Sequence, residues 1–135
     1  MREKYYKAHT DLHDEMNEDA EVWWTQALRD LETADHLLNA ERYEAAAFFA
    51  QQSAEKALKS LHIERYKELK KTHDLVLLAK GLDLPSKLID LCKELSPAYV
   101  YTRYPDAVPL QDIEGVSKEL LGYAKEIIEW IRERR

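Results

Sequence analysis

A run of alanines within residues 43–61 constrains the fold of this chain more than any other stretch. The apolar residues recur at alternating steps of four and three, and no Gly, Pro or β-branched residue interrupts them. That spacing marks one face of an α-helix, and Ala is the strongest helix former. We therefore predict a central helix whose narrow face lets other helices approach closely. The face consists of Tyr43, Ala47, Ala50, Ala54, Ala57 and Leu61.

The composition favours one all-α domain. The chain has 135 residues, 45% of them hydrophobic and 34% charged, with only 3 Gly and 4 Pro for the turns of an all-β fold. A formal charge of -6 argues against wholesale non-specific nucleic-acid binding. A single cysteine, Cys92, excludes an internal disulfide and a thiolate metal site. No apolar run approaches the ~18 residues of a membrane span, and no signal-peptide core follows Met1, so a cytoplasmic protein is expected.

Further helices are predicted on both sides of the central one. A helix from Asp19, its N-cap, shows the same alternating steps, and a short link at residues 39–42 makes the pair an antiparallel hairpin. Its face consists of Ala20, Trp24, Ala27, Leu31, Ala34 and Leu38. After the central helix ends near Tyr66, a short helix over residues 73–79 has Thr72 as its cap and stops at Gly81.

The remaining chain completes the predicted bundle. A helix restarts at Pro85, and Pro97 kinks or restarts it. Two prolines make residues 104–109 a loop, and the last helix begins around Asp112 as its cap. The sequence thus predicts an all-α, up-and-down antiparallel bundle of four long helices and one short helix.

The first part of the chain is set apart from this bundle. Residues 1–21 are polar and acidic, and they are predicted to be an N-terminal tail or extension, with the bundle domain at residues 22–135. His9 and His13 have the i, i+4 spacing of metal ligands on a helix. No third ligand is evident beside them, so no metal site is predicted.

The first candidate site is the aromatic segment 99–106. Tyr99, Arg103, Tyr104 and Asp106 lie together at a helix–loop junction. Arg offers a planar fork of donors to phosphate or carboxylate, and Tyr rings can stack on a base. The alternative is structural: Asp106 pairs with Arg103 or caps a turn, while the tyrosines fill the end of the bundle.

A local excess of basic residues is the second candidate. Residues 56–71 carry six Lys or Arg against two Glu in an otherwise acidic chain, which could steer an anion, or could simply complement a helix C-terminus. His73 follows this basic segment and could act on a phosphate or hydrogen-bond a neighbouring turn. The polar residues of the central helix either tie helices together or line a dimer contact. They are Gln51, Gln52, Ser53 and Glu55.

Four stretches taken in order resemble the HEPN domain family. They are Trp23-Trp24 with Ala27, Asp30-Leu31 and Ala34, the central helix from Tyr43 to Lys59, Thr72 to Leu75 with Leu78, and Tyr99 with Thr102 to Asp106. The resemblance implies an α-helical bundle, a homodimer and an association with nucleotide binding. It also implies metal-independent ribonuclease activity in many branches, and small members are often toxins neutralised by an adjacent minimal nucleotidyltransferase.

On this resemblance, Arg103 matches the Arg of the ribonuclease motif, in which four to six residues and then His follow. Residues 107–110 contain no His, so the motif is not intact and enzymatic activity stays open. We predict a HEPN-domain protein that binds a nucleotide or a minimal nucleotidyltransferase in a two-gene toxin–antitoxin-like pair. The alternatives are a metal-independent ribonuclease using Arg103 and a His from elsewhere, and a non-catalytic helical adaptor.

The residues expected to bind the ligand follow from the same resemblance. Arg103 would contact phosphate, Tyr104 would stack, and Lys56 with His73 would complete an anion pocket. The expected nucleotide- or phosphate-binding residues are Arg103, Tyr104, Asp106, Tyr99, Lys56 and His73. Arg103 and His73 are the catalytic candidates for a ribonuclease. No cofactor and no membrane partner are expected.

Overall fold

The chain folds into α-helices joined by short connections. The computed structural model describes the backbone of residues 4–109 and 111–135 and the side chains of residues 17–109 and 111–135. This part of the chain contains α1 (Lys4–Asn39), α2 (Tyr43–Tyr66), α3 (Leu75–Gly81), α4 (Ser86–Leu95) and α5 (Ile113–Arg132). Two 3₁₀ turns, Ser96–Val100 and Pro105–Ala107, lie between α4 and α5. The predicted all-α bundle of four long helices and one short helix is confirmed.

Helix α2 lies at the centre of the bundle and packs against all four other α-helices. The stripe residues Ala47, Ala50, Ala54 and Ala57 are completely buried, and Leu61 is nearly so. Because an Ala side chain ends at Cβ, neighbouring helices can pack close to the backbone of α2 along this stripe. The prediction of a central helix with a narrow buried face is therefore confirmed.

Helices α1 and α2 form the predicted antiparallel hairpin. The Ser60 hydroxyl donates to the Ala20 carbonyl oxygen at 2.7 Å, and Lys56 Nζ lies 2.6 Å from Asp30 Oδ2. Residues early in α1 thus contact residues late in α2, as an antiparallel pair requires. A turn at residues 40–42 connects the two helices.

Helix α5 is also antiparallel to α1 and therefore runs in the same direction as α2. Its middle contacts the later part of α1, where Lys125 Nζ lies 3.2 Å from Asp35 Oδ1. Its C-terminal turn lies beside the earlier part of α1, where the Arg132 guanidinium is 5.3 Å from the centre of the Trp24 ring. Helix α5 packs against both helices of the hairpin, more extensively against α2 than against α1.

Aspartates cap α3 and α5. Asp112 begins α5 as predicted, accepting a hydrogen bond from the Gly115 N–H at 3.1 Å. The prediction of Thr72 as the cap of α3 is wrong, because the helix begins only at Leu75. Asp74 caps it by accepting from the Leu77 N–H at 3.1 Å, while the Thr72 hydroxyl accepts from the Asp74 N–H at 3.1 Å. The two bonds together shape the connector that precedes α3.

Helix α1 begins earlier than predicted. It starts at Lys4, so Asp19 lies inside it and the prediction of Asp19 as an N-cap is wrong. No Gly or Pro occurs between Lys4 and Asn39, and extending a helix costs far less than starting one. The division at residue 21 stays a prediction, and the side chains of His9 and His13 lie outside the described residues. Within the described helices, none has both the length and the hydrophobicity needed to cross a membrane.

Candidate functional site

A buried carboxylate on α2 organises the candidate site. Glu55 has a carboxyl side chain, yet the residue is only 3% exposed. Gln51 Nε2 donates to its Oε1 at 3.2 Å, and Lys59 Nζ donates to its Oε2 at 3.1 Å. Both partners stand four residues away on the same helix face, where i, i+4 side chains meet. Since buried charges are costly unless they are paired and hydrogen-bonded, these contacts keep the carboxylate in place.

His73 reaches this carboxylate from the connector before α3. Its Nδ1 lies 3.2 Å from Glu55 Oε1 and 3.1 Å from Oε2. An ionised carboxylate can only accept, so Nδ1 carries the proton and donates it. The other ring nitrogen, Nε2, then accepts a hydrogen bond in the neutral ring and donates one when the ring is protonated. Because the His73 side chain is 55% exposed, Glu55 orients an imidazole that solvent can still reach.

Tyr99 links this imidazole to Arg103. The Tyr99 ring lies in the 3₁₀ turn after α4 and stacks on His73, with centroids 4.3 Å apart and planes 24° apart. The Arg103 guanidinium carbon lies 5.5 Å from the centre of the same Tyr99 ring, at a cation–π distance. The exposed Arg103 and His73 therefore both contact the Tyr99 ring, and the Glu55 carboxylate hydrogen-bonds the His73 ring. We call Glu55, His73, Tyr99 and Arg103 the polar cluster.

The structure brings together three of the six predicted binding residues, namely His73, Tyr99 and Arg103. Lys56 instead pairs with the buried Asp30 at 2.6 Å, and Gln26 Nε2 donates to the second oxygen of that carboxylate at 3.0 Å. Lys56 thus ties α2 to α1. Its part in an anion pocket stays a prediction.

Tyr104 and Asp106 lie beyond the polar cluster on the loop that follows Arg103. Tyr104 is 56% exposed, and Asp106 is exposed in the second 3₁₀ turn. Among the described residues, no Arg103–Asp106 ion pair forms within 4.0 Å, so the structural alternative of that pairing is not supported. Both side chains are accessible to a ligand, and their roles stay predictions.

A cavity of about 430 Å³ opens between this loop and the start of α2. Its walls are Glu44, Ala45, Tyr101, Thr102, Pro105 and Val108. Burial raises the pKa of the Tyr101 phenol, which therefore stays a neutral hydrogen-bond donor at physiological pH. Two of its lining residues, Tyr101 and Thr102, directly precede Arg103 in the chain.

Sequence reasoning did not assign Glu55 as the partner of His73. Gln51 and Glu55 were candidates for tying helices together or lining a dimer contact, and the structure shows both in one buried network. The available signal was the regular spacing of Gln51, Glu55 and Lys59, which places three polar side chains on one face of an otherwise small-residue helix. Within the described side chains, no group of three His, Cys, Asp or Glu is arranged to hold a metal ion.

Comparisons with known proteins agree on one family. The HEPN domain profile matches residues 20–134. Among solved structures, TT1696 from Thermus thermophilus is 33% identical with a TM-score of 0.77, covering 86% of this chain and 98% of its own. ST0689, described as an archaeal HEPN homologue, is 31% identical with a TM-score of 0.72, covering 85% and 96%.

A third solved structure is a HEPN domain protein, TM0613 from Thermotoga maritima. It is 27% identical with a TM-score of 0.67, and the match covers 82% of this chain and 94% of that one. No curated protein matches the sequence. The family profile spans most of the chain, and the matches to the two structures above 30% identity cover nearly the whole length of each of those proteins. The chain therefore belongs to the HEPN domain family.

Proposed function

We propose that the protein binds a nucleotide, or a phosphate of RNA, on the surface formed by His73, Tyr99 and Arg103. One observation carries this proposal: Arg103 and His73 both contact the Tyr99 ring, and the buried Glu55 carboxylate fixes the orientation of His73. A guanidinium binds phosphate through two parallel donors, and the imidazole that Glu55 orients adds a further donor, Nε2–H, when its ring is protonated. The site is thus arranged for an anion before any ligand arrives.

The loop after Arg103 supplies the elements that a base would need. The exposed Tyr104 ring offers a stacking surface, which contributes about 1–3 kcal/mol per base in single-strand binding. The adjoining recess contains the Tyr101 phenol and the Glu44 carboxylate as polar groups. A nucleotide with its phosphate at Arg103 and its base toward Tyr104 would use both.

Calorimetric titration with ATP and with a short single-stranded RNA tests this proposal. Arg103→Ala should weaken binding at least about tenfold, since it removes the phosphate contact. Arg134→Ala is the matched control, because Arg134 is also exposed and lies 4.0 Å from the centre of an aromatic ring, that of Trp130. Equal affinities for the wild type and Arg103→Ala would remove the basis for the proposal.

The Glu55–His73 hydrogen bond favours a second candidate function, metal-independent RNA cleavage. Attack of a ribose 2′-OH on the adjacent phosphate forms a 2′,3′-cyclic phosphate and breaks the bond from phosphorus to the 5′-oxygen. It needs a base for the hydroxyl proton, a cation for the developing charge, and a proton for the departing 5′-oxygen, which water or the newly protonated imidazole can supply. His73 Nε2, oriented through Nδ1 by Glu55, would serve as the base, and Arg103 would stabilise the phosphate. Cleavage in EDTA that is lost in His73→Asn and retained in His36→Asn would support this function. Binding without cleavage would restrict the protein to the first proposal.

The family membership motivates two further proposals about partners. We propose a homodimer and a minimal nucleotidyltransferase partner in a toxin–antitoxin-like pair. Light scattering after size exclusion tests the dimer, and co-purification with the product of a neighbouring nucleotidyltransferase gene tests the partner. A protein that binds the partner but neither ATP nor RNA would instead be a helical adaptor.

A further inference from the structure

A second groove lies between the end of α2 and α3, and the proposed nucleotide site does not use it. Its cavity of about 300 Å³ is lined by His62, Lys70, Leu77, Leu78, Lys80 and Gly81. Large hydrophobic side chains are exposed at and around it: Tyr66 is 51%, Leu69 39% and Leu77 49% exposed. Contiguous exposed apolar patches rimmed by polar residues mark interaction surfaces in soluble proteins. We call this feature the α2–α3 groove.

Hydrogen bonds hold the two walls of the groove together. The Tyr66 hydroxyl donates to the Gly81 carbonyl oxygen at 3.0 Å, and Arg65 Nη1 donates to the Leu82 carbonyl oxygen at 2.9 Å. His62 Nδ1 lies 3.0 Å from the Glu68 carbonyl oxygen, which can only accept, so this nitrogen carries the proton. The end of α3 is therefore fixed against the end of α2, and the groove is formed before any ligand binds.

The rim of the groove is cationic and its floor is apolar. Leu77 and Lys80 are three residues apart on α3 and so share one helix face, while Lys70 approaches from the connector. Within the described part of the chain, neither lysine has a carboxylate within 4.0 Å. Leu78, at the bottom, is 1% exposed. This local positive charge contrasts with the formal charge of -6 on the whole chain.

We propose that the α2–α3 groove binds an acidic segment of a partner protein that inserts one apolar side chain between Lys70 and Lys80. The charge of the rim selects the carboxylates, and Leu77 with Leu78 receives the apolar group. A cavity of about 300 Å³ is at the small end of ligand sites and accommodates a single large side chain. RNA fits less well, since the leucines offer a base neither a hydrogen bond nor a stacking surface, and the Tyr66 hydroxyl already donates to Gly81.

Fluorescence polarisation tests the proposal with short labelled peptides that carry one Leu flanked by Asp and Glu. Two matched peptides replace the acids by Asn and Gln, or the Leu by Ser. The acidic Leu peptide should bind, and each matched peptide should bind at least about tenfold more weakly. Binding should also weaken as salt is raised, because the lysines are on an exposed rim.

Glycine substitutions give a matched pair of protein variants. An added Cβ at Gly81 or at Gly122 meets nothing within 4 Å, so both Gly81→Glu and Gly122→Glu should fold. Only Gly81→Glu places a carboxylate and extra volume in the groove, and it should lower affinity at least about tenfold while Gly122→Glu changes it by less than about twofold. Two double charge-reversal variants form a second matched pair, because both change the net charge equally. They are Lys70→Glu/Lys80→Glu in the groove and Lys87→Glu/Lys93→Glu on α4.

Three results would overturn the proposal. They are no saturable peptide binding up to about 1 mM, equal losses in Gly81→Glu and Gly122→Glu, or a single-stranded RNA that occupies the groove in place of the peptide. Arg103→Ala should leave peptide binding unchanged. Failure of the groove therefore remains distinguishable from failure of the nucleotide site.

Discussion

Removing the Glu55 carboxylate should destabilise the protein strongly. The loss in the free energy of unfolding can be estimated from the contacts that this carboxylate makes. Glu55→Ala leaves Lys59 without its ion-pair partner at a position where the Lys59 side chain is only 7% exposed. It also removes the acceptor of the Gln51 and His73 hydrogen bonds. Breaking a buried ion pair from one side typically costs about 3–5 kcal/mol, because the remaining charge stays desolvated.

Urea unfolding followed by circular dichroism measures this cost. With a slope of about 1–3 kcal/mol per M, a loss of about 4 kcal/mol lowers the midpoint by about 2 M. The control is the double variant Glu55→Leu/Lys59→Met, which removes both charges while keeping the volume. It should restore part of the lost stability, because replacing a whole buried pair by apolar side chains is often neutral, while the buried Gln51 amide still lacks its acceptor.

The double variant and its two single substitutions, Glu55→Leu and Lys59→Met, form a double-mutant cycle that can refute this argument. A coupling energy between Glu55 and Lys59 of about 2 kcal/mol or more is expected, against less than about 0.5 kcal/mol for side chains that do not interact. If Glu55→Ala costs less than about 1 kcal/mol and Glu55→Leu shows no coupling to Lys59→Met, the carboxylate is not the buried anchor described above.

Three further predictions concern the bundle itself. Gly122→Ala should raise the free energy of unfolding by about 0.5–1 kcal/mol. Gly115→Ala should not, because its Cβ would clash with the carboxylate of Asp112, which caps the helix; thermal unfolding of both variants compares the two. Ala54→Leu should destabilise by about 1–3 kcal/mol or more, measured in urea, because the stripe has no room for it. Burial raises the pKa of Cys92 to about 12, so iodoacetamide should modify this thiol only after unfolding. The free energy of unfolding should fall as the pH rises from about 9 toward 12, because the thiol ionises at lower pH in the unfolded chain than in the folded one.

The bundle is predictable from sequence because its apolar residues repeat with helical period. The alanines of α2 identify both the helix and its buried face, and the acceptor side chain of Asp112 identifies the start of α5. The starts of helices are harder to predict where several polar residues precede the periodic apolar face. Asp19 has the chemistry of a cap, yet it lies within α1 because nothing before it interrupts the helix.

The site is less predictable, since it depends on contacts between distant residues. His73 and Glu55 are 18 residues apart, and they meet only because the connector folds back along α2. The aromatic segment is visible in the sequence, but the position of Tyr99 between His73 and Arg103 is not. The pairing of Lys56 with Asp30, 26 residues away, is likewise not visible in the sequence, and the part of Lys56 in an anion pocket stays a prediction.

One measurement tests the central claim most directly, that Arg103 and His73 act on a single bound anion. In an NMR titration with ATP, labelled histidine rings and arginine side chains report on each residue separately. The account predicts that the His73 and Arg103 signals shift together and yield one dissociation constant, while the signals of His36 and Arg134 stay in place. Shifts confined to other residues, or different dissociation constants for His73 and Arg103, would contradict it.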